Sequence, residues 1–103
     1  MKSLEIGVSP FDHPAYLERC QKITKVLKKA MKDSRIDVVI DLGCGSGEVG
    51  RAFVTAGKQV YFVDGRSEEL GRLHKAGYNT ITHDAHKPLH RTVDLVLCLG
   101  LLY

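Results

Sequence analysis

Between Asp41 and Gly50 the chain reads D-L-G-C-G-S-G-E-V-G, four glycines close behind an acid that follows the apolar run Val38-Val39-Ile40. Four glycines in one connection are more than a plain turn needs, because each adds backbone freedom at a cost in entropy. A strand that runs into such a turn and then into a helix leaves free backbone N–H groups and the positive helix end at the top of the sheet. That is an arrangement for holding a nucleotide-like ligand, which can approach the main chain closely where no Cβ intervenes.

Two frames fit these glycines. Gly45, Gly47 and Gly50 form G-x-G-x-x-G, the dinucleotide fingerprint, and Asp64 lies near the offset of about 20 residues expected of a ribose-binding acid. That frame implies NAD. The second frame, D-L-G-C-G-S-G from Asp41 to Gly47, also gives the acid a task. An unpaired carboxylate entering a buried strand is costly, whereas at the strand's end it is expected to face the crevice and meet a cationic ligand group.

Other reactive side chains carry less. His83, His86 and His90 stand three and four residues apart and would share one face of a helix. Pro88 and the polar run HDAHKPLHRT argue against a helix there, so they are expected to be solvated loop residues and no metal is expected. Cys44 in the glycine loop and Cys98 near the chain's end are expected to be small core residues, since no base lies near either in sequence. No catalytic side chain can be named.

The elements that must position this loop follow from periodicity. Asp12 and Pro14 are the expected cap and first-turn proline of a helix over 14–33, in which Tyr16, Cys20, Ile23, Leu27 and Ala30 recur on one face. Its other side carries Arg19, Lys22, Lys25, Lys28, Lys29 and Lys32, expected to be a solvated face. A buried strand is expected over 36–40, a helix from Glu48 to Ala56 closed by Gly57, and a strand QVYFV followed by an Asp64-Gly65 turn. Ser67 caps the next helix, with Glu68 and Glu69 at its positive end and Gly77 past its last turn. Strands near 78–82 and over 93–99 complete an alternation that indicates a mostly parallel sheet with helices on both faces.

Length and composition suit one small soluble domain. The chain has 103 residues, 44% hydrophobic and 26% charged, with a net charge of +3, too small by itself to imply a nucleic-acid partner. Its three cysteines form no C-x-x-C pair, which suggests neither a disulfide framework nor a cysteine zinc site and makes a reducing cytoplasm the expected location. No stretch has the length of a signal-peptide core or a membrane span, so no membrane partner is expected.

Four ordered pieces, VVIDLGCGSGEVG, VYFVDGRSEEL, ITHDAHKPL and VDLVLCLGLLY, resemble the class I S-adenosylmethionine-dependent methyltransferases over residues 36–103. The likeness is greatest to the branch acting on small molecules and tRNA, with its short connection between strands 3 and 4. The resemblance implies an α/β, Rossmann-like, doubly wound sheet of strand order 3-2-1-4. It also implies that Asp41, Leu42, Gly43, Cys44, Gly45 and Gly47 hold the methionine part of S-adenosylmethionine, that Asp64 with Gly65 and Arg66 holds the ribose, and that Asp84, Ala85 and Leu99 lie by the adenine.

The family's Asn/Asp-Pro-Pro-Tyr/Phe motif after strand 4 is missing, so a base amino group in DNA is not the expected acceptor. A small molecule or RNA is, with a small or unspecified acceptor preferred. Members of the family continue beyond the point matching Tyr103 through a helix and strands 5–7, so the chain is expected to be the N-terminal, cofactor-binding part. The open edge of strand 4 is expected to self-associate. A dehydrogenase half-domain, a non-catalytic S-adenosylmethionine-binding module and an RNA-modifying methyltransferase whose basic first helix holds the substrate are the alternatives.

Overall fold

Four strands, β1 (Val38–Leu42), β2 (Gln59–Asp64), β3 (Asn79–Thr82) and β4 (Leu95–Leu97), form one sheet of order β3-β2-β1-β4 in which every neighbouring pair is parallel. The computed structural model describes residues 13–65, 67–84 and 87–98. Arg66, Ala85 and Leu99, three of the expected ligand contacts, lie outside the described residues, as do Asp12 and His86.

β1 starts two residues later than its apolar run suggests, because its entry is fixed from the far end of the chain. The Asp94 carboxylate accepts from the Asp37 and Val38 N–H groups, both at 2.9 Å, while the Asp94 N–H donates to the Val38 carbonyl at 2.8 Å. Those N–H groups hold the Asp94 carboxyl below its ordinary value. Asp94 therefore sets the β1–β4 register that aligns Asp41 with Leu97, while on the other side Asp41 pairs with Phe62 of β2.

Four helices accompany the strands: α1 (Pro14–Val26), α2 (Lys28–Lys32), α3 (Glu48–Thr55) and α4 (Glu68–Lys75). The single helix expected over 14–33 is thus two, interrupted at Leu27, whose ψ of 3° leaves the α range although hydrogen bonds still run from Leu27 to Ile23 and from Met31 to Leu27. The α1 cap is His13, whose ring accepts from the Ala15 N–H at 3.1 Å. Ser67 caps α4 as expected, accepting from the Leu70 N–H at 3.1 Å, and Gly57 and Gly77 take φ of 88° and 94° just past their helices.

Two right-handed crossovers in the same direction place α3 and α4 on one face of the sheet. There Val49, Phe53, Leu70 and Leu73 pack on Val39, Val60, Phe62 and Leu97, and α1 joins through Cys20, with Tyr16, Ile23, Leu27 and Ala30 packed alongside as expected. The return from β3 to β4 runs the other way and contains no helix among the described residues, so helices cover one face rather than both. On the opposite face the Arg91 guanidinium lies 4.8 Å from the Tyr61 ring centroid. Cys98 follows Val96 toward this thinly covered side of the edge strand and is exposed, not a core residue.

Candidate cofactor-binding site

The glycine loop leaves β1 at the carboxyl end of the sheet. Gly43, Gly45 and Gly47 have φ of 66°, 55° and 76°, values that side chains with a Cβ rarely adopt, so the path of the loop depends on glycine. Two of its N–H groups tie it to β2: Gly43 and Cys44 both donate to the Val63 carbonyl, at 2.8 and 3.3 Å. Leu42, the last residue of β1, sits half-buried beside Val63 and begins the turn.

Asp64 closes β2 beside this loop. Its Oδ2 accepts from the Gly45 N–H at 3.2 Å and its Oδ1 from the Gly65 N–H at 2.8 Å. A carboxylate has about four lone-pair sites, so roughly two remain for a ligand. Asp64 is half-buried, Gly65 is exposed, and nothing lies within 4 Å of the place a Gly65 Cβ would take. An oriented carboxylate with spare acceptor capacity, next to an unobstructed main chain, suits a pair of vicinal hydroxyls.

Asp84 is exposed and lies one residue past His83, whose N–H donates to the Asp64 carbonyl at 2.8 Å. Its own carbonyl accepts from the Lys87 N–H at 3.0 Å, closing a turn. The loop therefore returns Asp84 to the end of β2, near Asp64.

Asp41 takes a different place from the one expected. Its side chain is only 4% exposed and turns under the loop onto α3, with Oδ2 2.6 Å from where a Cβ on Gly50 would stand. The Gly50 N–H bonds to it. Gly47, at the N-cap of α3, has no side chain to satisfy the first-turn donors, so Asp41 performs the capping from the neighbouring strand. Burial pushes its carboxyl up to about 7, the Gly50 N–H pulls it down, and the charge of Asp64 adds to the rise.

Cys44 is buried, with Sγ 3.6 Å from the Gly45 carbonyl and 4.0 Å from Asp64 Oδ2. Burial pushes its thiol up to about 12, and the carboxylates of Asp41 and Asp64 add to the rise. A thiol held protonated is no nucleophile at neutral pH.

Sequence reasoning missed one contact of the loop. The Tyr16 hydroxyl on α1 lies 3.2 Å from Ser46 Oγ, joining the first helix to the glycine turn. A tyrosine on a core-facing stripe is the available signal, since its hydroxyl needs a polar partner when buried. Among the described residues no group of three His, Cys, Asp or Glu could hold a metal ion, and no helix is long and apolar enough to cross a membrane.

A parallel sheet with a glycine turn and a paired acid at its carboxyl end is an arrangement in which α/β folds can hold nucleotide-type ligands at their strand ends. Residues 40–103 match the family described as a methyltransferase domain, and the chain belongs to that family. A solved structure of a Pyrococcus horikoshii protein described as an RNA methyltransferase shares the fold, with a TM-score of 0.60 at 18% identity. The similarity covers 93% of this chain and 50% of that one, so the chain spans about half the length of that relative. A comparison with curated protein sequences returns no match.

Proposed function

We propose that the chain binds S-adenosylmethionine across the ends of β1 and β2 and forms the cofactor-holding part of a methyltransferase. The observation that carries this is Asp64, docked on Gly45 with both carboxylate oxygens oriented and acceptor capacity left for a ribose diol. In this reading Leu42, Gly43, Cys44, Gly45 and Gly47 form the wall beside the methionine part, Asp41 supports that wall from below, and Asp84 lies toward the adenine with Ala85 and Leu99. Arg66 would adjoin the ribose. When bound, the cofactor supplies a methyl group already electrophilic at its sulfonium, so the protein's task is to align an acceptor and exclude water.

The dinucleotide frame keeps one point in its favour. Gly50 is needed for close helix–sheet contact, since a Cβ there would meet Phe62 Cε1 at 2.5 Å, which is the role of the third fingerprint glycine. Asp41 no longer argues against that frame either, because the Gly50 N–H gives it a partner without any ligand. Family membership favours S-adenosylmethionine. Calorimetry with S-adenosylmethionine, its demethylated product and NAD tests it: a sulfur ligand binds most tightly, and tighter NAD binding would overturn the reading.

Replacing Asp64 by Ala should remove charged hydrogen bonds worth about 1.5 to 3 kcal/mol, a loss of roughly 10- to 100-fold in cofactor affinity. Thermal melting of the empty variant alongside titration separates this from a turn-stabilising role, for which the melting temperature would drop while binding held. The free thiols Cys20, Cys44 and Cys98 support a cytoplasmic setting. Self-association through β4 is part of the same proposal. Val96 is 53% exposed on that edge strand, and light scattering after size exclusion should show more than one copy per particle.

A further inference from the structure

The lysines of the first two helices meet a partner that the sequence does not bring near them. Lys28 and Lys32 of α2 line a cleft of about 700 Å³ together with Lys58, from the turn before β2, Ala52 of α3 and Ala56 just past that helix. Lys58 is fixed there, since its Nζ donates to the Asp33 carbonyl at 2.8 Å. The Asp33 carboxylate is bound chiefly by Arg35, with contacts of 2.8 and 3.0 Å; together with Asp94 it offsets part of the Lys58 charge, but neither acid is ion-paired with Lys28 or Lys32.

Lys25, Lys28, Lys29 and Lys32 are exposed, and none is ion-paired among the described residues; of the lysines on these helices only Lys22 is, with Glu18. Four unpaired cations within eight residues, joined by a fifth from another element, repel one another unless an anion is supplied. The concavity narrows the choice of anion. Val26 is the only large hydrophobic residue highly exposed on α1 and α2, so these helices offer little apolar surface for a bilayer to take up. A phosphodiester strand is narrow, carries charge at short repeats and can be laid along a groove.

We propose that this cleft binds the phosphate backbone of RNA and anchors it at the end of the helical layer away from the cofactor loop. Tyr16, in the first turn of α1, marks the loop end and Lys28, which begins α2, the cleft end, about 18 Å apart at the roughly 1.5 Å rise per residue of the two successive helices. A single strand of a few nucleotides spans that distance, so RNA held here reaches the carboxyl end of the sheet while its target base stays free. The solvated face expected from the sequence becomes a positioning surface, and RNA becomes the acceptor class. Its use in catalysis rests on the methyltransferase reading, but RNA binding by the cleft does not.

The test is fluorescence anisotropy of the whole chain with labelled 20-nucleotide RNAs, one unstructured and one a hairpin, between 50 and 200 mM salt. The expected dissociation constant is between roughly 1 and 100 µM near physiological salt, with a steep salt dependence. Lys28→Gln with Lys32→Gln and Lys58→Gln should weaken binding at least 10-fold at 50 mM and reduce the salt slope by about 2, near 0.7 for each single-strand phosphate that is no longer neutralised. Lys75→Gln on α4 is the control and should change neither. Because Lys58 also ties down Asp33, the Lys28 and Lys32 double variant is read separately, with melting curves for all. Unchanged affinity and slope in a folded double variant, absence of RNA binding by the parent, or lysine-dependent binding to anionic vesicles with none to RNA would each overturn the proposal. Cofactor titration of the same samples keeps the two readings apart: RNA binding without S-adenosylmethionine binding would overturn the cofactor assignment and leave the cleft standing.

Discussion

Replacing Asp41 by Asn is expected to abolish most of a fall in stability that the parent chain shows between about pH 4 and pH 7. In the unfolded chain this carboxyl loses its proton near its ordinary 3.8, whereas in the fold burial holds the proton to about 7. Between those values the folded state binds more protons than the unfolded one, so stability declines as pH rises and levels off above 7. A shift of about 3 units corresponds to a loss on the order of 4 kcal/mol. Asn keeps an oxygen for the Gly50 N–H and carries no charge, so it avoids that loss.

Urea unfolding at pH 5 and pH 8 measures the effect. The parent should lose most of the stated amount between the two, the variant little, and at pH 8 the variant should be the more stable. Asp94 and Asp33, whose carboxyls are held below their ordinary values, act in the opposite sense but only as pH falls below about 4, outside this window. Parallel pH profiles for parent and variant would show that Asp41 is ionised throughout. The same carboxyl separates two roles toward the cofactor. A ligand cation that reaches it drives off its proton, so calorimetric enthalpies near pH 6 would vary with the buffer's ionisation enthalpy; a carboxylate that only supports the loop gives no such variation.

What the sequence made legible is what neighbouring residues determine. Gly57 and Gly77 end their helices because a left-handed residue is needed at those places, and Ser67 caps α4 because its hydroxyl reaches a donor three residues on. The alternation of apolar runs with such signals fixes parallel strands, and four motifs in order indicated both the family and the order β3-β2-β1-β4. The glycine turn was legible for the same reason, since its glycines are close together in the turn they form.

The remainder depends on residues far apart in the chain. β1 begins at Val38 because Asp94 holds it there, a partner 56 residues away that no local pattern shows. Asp41 was read as a group for the ligand because an acid in a strand lacks a partner in its own segment; α3 passes close enough to supply one only because residue 50 is glycine. Lys58 reaches the cleft from a different element than Lys28 and Lys32, so the sequence showed one basic helix face and not a groove.

Truncating Phe62 to Ala should be the most damaging single change at this site. The side chain is fully buried at the centre of β2, and its ring packs edge-on against Tyr78 with centroids 5.3 Å apart and planes at 68°. Removing a buried phenylalanine costs about 3 to 5 kcal/mol, a large share of the roughly 5 to 15 kcal/mol of a typical domain. At this size that lowers the melting temperature by at least roughly 12 °C. The ring also fills the space under the cofactor loop, for Cβ atoms built on Gly47 and Gly50 would stand 3.0 and 2.5 Å from Phe62 Cε1. Gly50→Ala alone should therefore cost about 1 to 3 kcal/mol by overpacking, partly offset by a helix-propensity gain of up to about 1 kcal/mol. In the Phe62→Ala background the new methyl is relieved of its ring contacts and keeps that with Asp41 Oδ2, so the second substitution should cost less there than in the parent. A double-mutant cycle from denaturant unfolding should give a favourable coupling of about 0.5 to 3 kcal/mol. Additive costs would mean that Gly50 is required for its contact with Asp41 and not for the ring.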